Sequence, residues 1–177
     1  KKNINKNLDF VSKKIKVSKN KLVLMYQTHS NRVIIINNKN KNLIKFKADA
    51  ILTKIRGIAL GVVTADCVPI ILFDSNNHII GCIHAGWKGA ISGIIENTIK
   101  KFRELNTQNK IFATVGPCIG EKSYEVSQDF YKKFILKSKK NSIYFTNKKN
   151  NKKLFNLRKY VNDKLLKLNV KVDNINK

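Results

Sequence analysis

The chain has 177 residues, of which 42% are hydrophobic, and a formal net charge of +25. That is enough apolar material for a real core and too much for a disordered polypeptide. No apolar run approaches the roughly 20 residues of a spanning helix, and the basic start Lys1-Lys2-Asn3-Ile4-Asn5-Lys6 lacks the apolar stretch of a signal peptide.

Leu8, Val11 and Ile15 stand at helical spacing and predict a first helix over 5–17. Residues 22–27 and 33–36 read as strands around a Thr28-His29-Ser30-Asn31 corner, and 37–42 as a polar turn. Strands follow at 50–53, 58–63 and 69–73, then a turn at 74–77 and a strand at 79–84. Ala90, Ile91, Ile94, Ile95, Ile99, Phe102 and Leu105 form one apolar stripe, predicting a helix that begins near Gly89. A buried strand over 111–115 ends at Gly116-Pro117-Cys118-Ile119-Gly120. Helices are expected over 127–137 and 154–168, the second with Leu154, Leu157, Val161, Leu165 and Leu168 on one face. Between them, 138–153 reads as a lysine-rich surface loop around a short strand. Strands and helices mix without a regular βαβ rhythm, so the expected class is α+β.

The charge suggests nucleic acid, but only four of the 36 basic residues are arginine: Arg32, Arg56, Arg103 and Arg158. Arginine is the side chain that grips phosphate bidentately. The lysines are spread among many Asn and Ile residues, all with A/T-rich codons, so a specific nucleic-acid partner is not expected despite the basic balance. Three cysteines at irregular spacing make no disulfide framework, so a reducing compartment and a cytoplasmic location are expected.

Chemistry concentrates in three short segments. His29 stands at a strand end, Cys67 in Thr64-Ala65-Asp66-Cys67-Val68-Pro69, and His84 before Ala85-Gly86-Trp87-Lys88-Gly89. Two imidazoles and a thiolate suit zinc or copper and leave one coordination position open. Their spacing is too long for a local finger motif, so by spacing alone a metal site is weakly indicated. Asp66, inside an apolar run, must pair or orient something, for instance a ligand histidine's second nitrogen, or else serve as a turn residue. Lys88 and Gly89, at the start of the predicted helix, suit a phosphate or oxyanion; the alternative is a structural turn with Trp87 packed in the core. Cys82 would share a strand face with His84 as a less favoured fourth ligand. His78 is expected in an exposed turn, and Cys118 either lines the site or is a small buried thiol.

Taken in order, Gln27-Thr28-His29-Ser30, Ala48-Asp49-Ala50-Ile51-Leu52-Thr53, Thr64-Ala65-Asp66-Cys67-Val68-Pro69, His84-Ala85-Gly86-Trp87-Lys88-Gly89 and Gly116-Pro117-Cys118-Ile119-Gly120 closely resemble the YfiH-like laccase-domain family. That family is described both as polyphenol oxidases and as purine nucleoside phosphorylases. Tyr124-Glu125-Val126 and Phe155-Asn156-Leu157 also fall where members carry similar residues. The resemblance covers nearly all of 1–177, read as a single domain. It implies two packed mixed β-sheets flanked by helices, and a zinc site made by His29, Cys67 and His84. It also implies phosphorolysis of adenosine, inosine and methylthioadenosine, with adenosine deamination as a further activity. The chain opens on Lys and is expected to lack the family's N-terminal Ser-Leu-Asn-Leu-like stretch and its C-terminal Cys-Thr and Phe-Ser-x-Arg-Arg. Lys88 stands where arginine is more usual.

The leading reading is therefore a zinc-dependent purine nucleoside phosphorylase. Its substrates are purine nucleosides and phosphate, its phosphate site is Lys88 and Gly89, and its general acid is unassigned with Asp66 as a candidate. One alternative is a copper polyphenol oxidase, with Met25 as a weak axial ligand four residues before His29 on one strand face; three histidines are few for a laccase's several coppers. Another is a metal-free cysteine hydrolase using Cys67 and His84. No membrane partner is expected, and the oligomeric state is not indicated.

Overall fold

The structure, a computed structural model, describes residues 2–38, 46–74, 76, 78–105 and 111–174. In chain order these form α1 (Lys2–Lys14), β1 (Leu22–Tyr26), β2 (Val33–Ile36), β3 (Phe46–Lys47), β4 (Ala50–Thr53), β5 (Ala59–Gly61), β6 (Val68–Asp74) and β7 (Ile79–Ala85). Then come α2 (Trp87–Ser92), α3 (Ile94–Leu105), β8 (Phe112–Val115), β9 (Glu125–Val126), α4 (Gln128–Lys137), β10 (Phe145–Asn147), β11 (Lys153–Phe155), α5 (Leu157–Lys167) and β12 (Lys171–Asn174). Among the described residues, no helix is long and apolar enough to cross a membrane.

The class is α+β, with sheets packed together and flanked by helices. The described strands make three sheets, where the family resemblance implied two. The largest has the order β12-β8-β6-β7-β4-β2 and is mixed: β6 and β7 are antiparallel, while β2–β4 and β8–β12 are parallel. A parallel sheet β3-β1-β5 and an antiparallel sheet β10-β11-β9 complete the set.

Alternation along β6 explains the layering. Val68, Ile70 and Leu72 are fully buried while Ile71 and Phe73, alternating with them, are exposed, as a period of two requires. The buried face meets Ile94, Ile95, Ile99 and Phe102 of α3 and Leu157, Val161 and Leu165 of α5 in one core. At roughly 1.5–3 kcal/mol per fully buried large apolar side chain, this layer supplies most of the driving force. Continuous with this core, an aromatic cluster joins Trp87, Phe130, Phe134 and Phe155, with ring centroids 4.8 Å apart for Trp87–Phe130 and for Phe134–Phe155.

Three local expectations change. The apolar stripe from residue 90 is carried by two helices, because Gly93 takes a left-handed φ of +94° and breaks the chain between α2 and α3. The helix expected from 154 starts at Leu157 because Asn156 caps it, its side chain accepting from the Lys159 amide at 2.8 Å. Leu154 instead pairs with Thr146 across β10–β11. The first helix runs over Lys2–Lys14, ending before Ile15. The turn expected over 37–42 lies mostly outside the described residues, as do Ser75 and Asn77 of the turn at 74–77.

Candidate functional site

Two of the donors come from connections and the third from the end of a strand of the large sheet. β1 stops at Tyr26, and the following corner carries His29; Cys67 lies just before β6; His84 lies near the end of β7. The antiparallel register of β6 and β7, with Pro69 opposite His84 and Val68 opposite Ala85, brings Cys67 and His84 to the same end. One ligand atom from each of His29, Cys67 and His84 lies within 4.8 Å of the other two. Cys67 Sγ is 3.7 Å from His29 Nε2, and the two imidazoles meet edge to face at 4.8 Å between centroids.

Asp49 organises this trio. It sits just before β4 and is fully buried. Its Oδ2 accepts from the Thr28 and Ser30 amides at 3.3 and 2.7 Å and from the Thr28 and Ser30 hydroxyls at 3.4 and 2.6 Å. Its Oδ1 accepts from the His29 amide at 3.0 Å and lies 2.9 Å from His84 Nδ1. Burial would push this carboxyl up, but the hydrogen bonds from Ser30, His84 and Thr28 outweigh it and hold it below its ordinary value. Two things follow. His29, in a left-handed conformation with φ +58° that a non-glycine residue adopts at a cost, is kept there by the carboxylate. His84 is fixed as the Nδ1–H tautomer, which leaves its Nε2 lone pair for a ligand.

The sequence pointed to Asp66 for this orienting role. In the structure Asp66 is exposed, and its described contact is a backbone one, its carbonyl accepting from the Ile119 amide at 3.0 Å. Asp49 was visible as a carboxylate between two alanines ahead of an apolar strand, the same cost argument that drew attention to Asp66.

Gly86 makes the space. A Cβ there would lie 2.6 Å from His29 Cδ2 and 2.9 Å from Cys67 Sγ. Gly89 serves packing, since a Cβ would come within 2.9 Å of the Ser30 carbonyl and push α2 off the His29 corner. Lys88 is exposed, with its ammonium 5.7 Å from the centre of the Trp87 ring. Trp87 itself packs into the aromatic cluster, as the structural-turn alternative required.

Cys82 does share the His84 face of β7 but is buried away from the trio, its thiol pushed up to about 12 by burial. His78 is exposed. Cys118 is half-buried, and the Cys67 thiol is raised first by burial and then by Asp66, Asp49 and the nearby Cys118. Tyr124, part of the resemblance but given no role from sequence, lies within electrostatic reach of Cys67 and Asp66; its phenol is pushed up to about 12, chiefly by burial. Met25 lies within β1, and His29 sits beyond that strand with inverted backbone, so the shared strand face expected for them does not form.

The donor chemistry fits a borderline-soft divalent ion: two nitrogens and one sulfur, a locked tautomer, and a glycine that leaves the space between them open. Residues 1–177 match the family described as multi-copper polyphenol oxidoreductase laccase. The chain belongs to that family. Within this laccase family it is similar to a purine nucleoside phosphorylase of Rickettsia conorii, 37% identical over 152 residues, which are 85% of this chain and 62% of that protein. It is also similar to an adenosine deaminase from an unknown prokaryotic organism, 36% identical over 121 residues, 64% of this chain and 46% of that one. Among solved structures, the YfiH protein of Bacillus licheniformis superposes with a TM-score of 0.84 at 22% identity, over 97% of this chain and 69% of that one. That likeness establishes the YfiH-like fold. The chain spans less than two thirds of the length of these two curated relatives.

Proposed function

We propose that this chain carries the metal-holding part of a zinc-dependent purine nucleoside phosphorylase. Its substrates are adenosine, inosine and methylthioadenosine, and it also deaminates adenosine. The observation that carries the reading is the convergence of His29, Cys67 and His84 beneath Gly86, in a chain whose relatives include proteins named purine nucleoside phosphorylase and adenosine deaminase. Zinc bound there supplies Lewis acidity, polarising a substrate group or acidifying a water.

The chain's own residues have distinct parts. Asp49 holds His84 in the tautomer that can ligate and holds the His29 corner in place. Lys88, exposed at the start of α2, supplies positive charge for phosphate, and Gly89 lets α2 approach the corner closely enough to present it. Asp66, exposed and adjacent to Cys67, is the candidate proton donor to the departing base.

The copper oxidase reading has less support. Of the three histidines in this sequence, two are in the trio and His78 is exposed in a turn, so these residues offer one site of three donors where a laccase uses several coppers. Cysteine hydrolysis needs an activated thiolate, whereas burial and neighbouring carboxylates push the Cys67 thiol up and Asp49 occupies His84 Nδ1.

The test incubates the zinc-loaded full-length protein, and Cys67→Ala in parallel, with adenosine in phosphate buffer, products being identified by mass spectrometry. Adenine with ribose 1-phosphate from the wild type alone is the expected result. Inosine alone would reassign the site to deamination, and no turnover in either protein would refute the purine reading.

A further inference from the structure

We infer that Arg158 is a positioning residue for the Cys67 sulfur: its guanidinium fixes the 116–120 loop, and that loop fixes the turn carrying Cys67. The inference rests on the reading of His29, Cys67 and His84 as a metal site.

Asp49 binds the His29 corner and His84, but none of its described hydrogen bonds goes to Cys67. The Cys67 turn is held from the other side. The Ile119 amide donates to the Asp66 carbonyl at 3.0 Å, and the Gly116 amide donates to the Pro69 carbonyl at 2.9 Å. These two bonds bracket Cys67 in the chain. The contact is close: a Cβ on Gly116 would lie 2.9 Å from Pro69 Cγ.

The loop has no regular structure of its own, since no helix or strand lies between Val115 and Glu125. It needs an external anchor, and α5 provides one. Arg158, in the first turn of α5, donates from Nη2 to the Gly116 carbonyl at 2.7 Å. Gly116 is thereby pinned at both backbone polar atoms, its amide to the Cys67 turn and its carbonyl to α5. The same guanidinium lies beside the Cys118 thiol, two residues further on, and draws down part of the rise that burial imposes there.

One planar group thus meets the loop at two points, which a lysine's single ammonium does not reproduce. Its Nη1 is buried without a hydrogen-bond partner among the described residues. The site's donors are then set by two anchors: a carboxylate for the two imidazoles and a guanidinium, acting through a loop, for the sulfur.

The test compares Arg158→Met and Arg158→Lys with Arg103→Met in the full-length protein. Arg103 also donates to a backbone carbonyl, that of Leu168, but links α3 to the end of α5, elements that carry none of the three donors. In metal-free protein, hydrogen exchange at 66–69 and 116–120 should speed up about tenfold or more in Arg158→Met, recover in part in Arg158→Lys, and stay unchanged in Arg103→Met. After cobalt(II) loading, Arg158→Met should bind about tenfold more weakly and show a displaced thiolate-to-metal absorption band, whereas Arg103→Met keeps both wild-type values.

Unchanged exchange in Arg158→Met, or equal acceleration in Arg103→Met, overturns the inference, as does a wild-type band and affinity in Arg158→Met. If the wild type shows no thiolate band, the metal reading fails, while the exchange comparison still decides whether Arg158 sets the turn. If Arg158→Met does not fold, Arg158→Lys decides alone: faster exchange than wild type supports the inference and wild-type exchange refutes it.

Discussion

Replacing Asp49 by asparagine leaves shape nearly intact and removes one acceptor. Of the six donors around the carboxylate, Oδ2 receives two backbone amides and two hydroxyls, while Oδ1 receives the His29 amide and faces His84 Nδ1. The amide oxygen will keep the Oδ2 side, where two backbone N–H groups cannot reverse. The NH2 then confronts the His29 N–H, leaving a part-buried donor unsatisfied, and donates to His84 Nδ1. The imidazole proton moves to Nε2, the nitrogen needed for a ligand. An orphaned part-buried N–H and the weakening of charge-assisted bonds together cost about 1–3 kcal/mol of stability. Loss of the orienting carboxylate costs about 10–100-fold in zinc affinity. Urea denaturation of the metal-free protein and zinc competition against a chromophoric chelator measure the two separately. Zinc affinity within twofold of wild type in Asp49→Asn would refute the tautomer argument.

The same carboxylate predicts an acid dependence. A pKa held below the ordinary 3.8 stabilises the fold above that value, and the contribution disappears as pH falls through the lower folded value. The stability gap between wild type and Asp49→Asn, measured by urea titration from about pH 4 downward, should therefore close as pH falls. Gly86→Ala has an unstrained backbone, φ −73° and ψ 163°, so its cost is steric alone. Contact with His29 and Cys67 should remove about 1–3 kcal/mol and displace both donors, read as a lower melting temperature with lost zinc content. Full zinc retention would show that the Cβ finds room. Brief alkylation of native metal-free protein at pH 8 should spare Cys82, whose thiol is buried and stays protonated, and label Cys67 and Cys118 first; mass spectrometry of peptides reads the order.

His29, Cys67 and His84 could be picked from sequence because each stands in a short distinctive segment, and the order of five such segments carried the family resemblance. Asp49 stands in one of these segments, but its role depends on register. Its partner His84 is 35 residues away, and the two meet only when Ala50 pairs with Ile83 across β4 and β7. Pairing at such separation leaves no local periodicity. The break at Gly93 was hidden for the opposite reason: the apolar stripe continues through it, and only the backbone angle shows that two helices share it. β12, with the mixed pattern Lys171-Val172-Asp173-Asn174, is a strand because β8 offers an edge, register by register from Lys171–Phe112 to Asn174–Val115. Arg158 is one of four arginines in the sequence, but its reach to Gly116 depends on where α5 lies against the sheet.

The β6–β7 hairpin suggests a practical use. Its Cys67 and His84 lie at the open mouth, while Asp74 pairs with Ile79 at the closed end. Seven residues of strand at about 3.3 Å each put that closed end about 20 Å from the donors. A peptide tag or fluorescent reporter grafted between Asp74 and Ile79 would therefore change length only where no donor is attached. A single-residue shift in pairing along the same hairpin would instead turn His84 toward the apolar layer. The hairpin thus offers a handle at one end while its register must be kept along the rest.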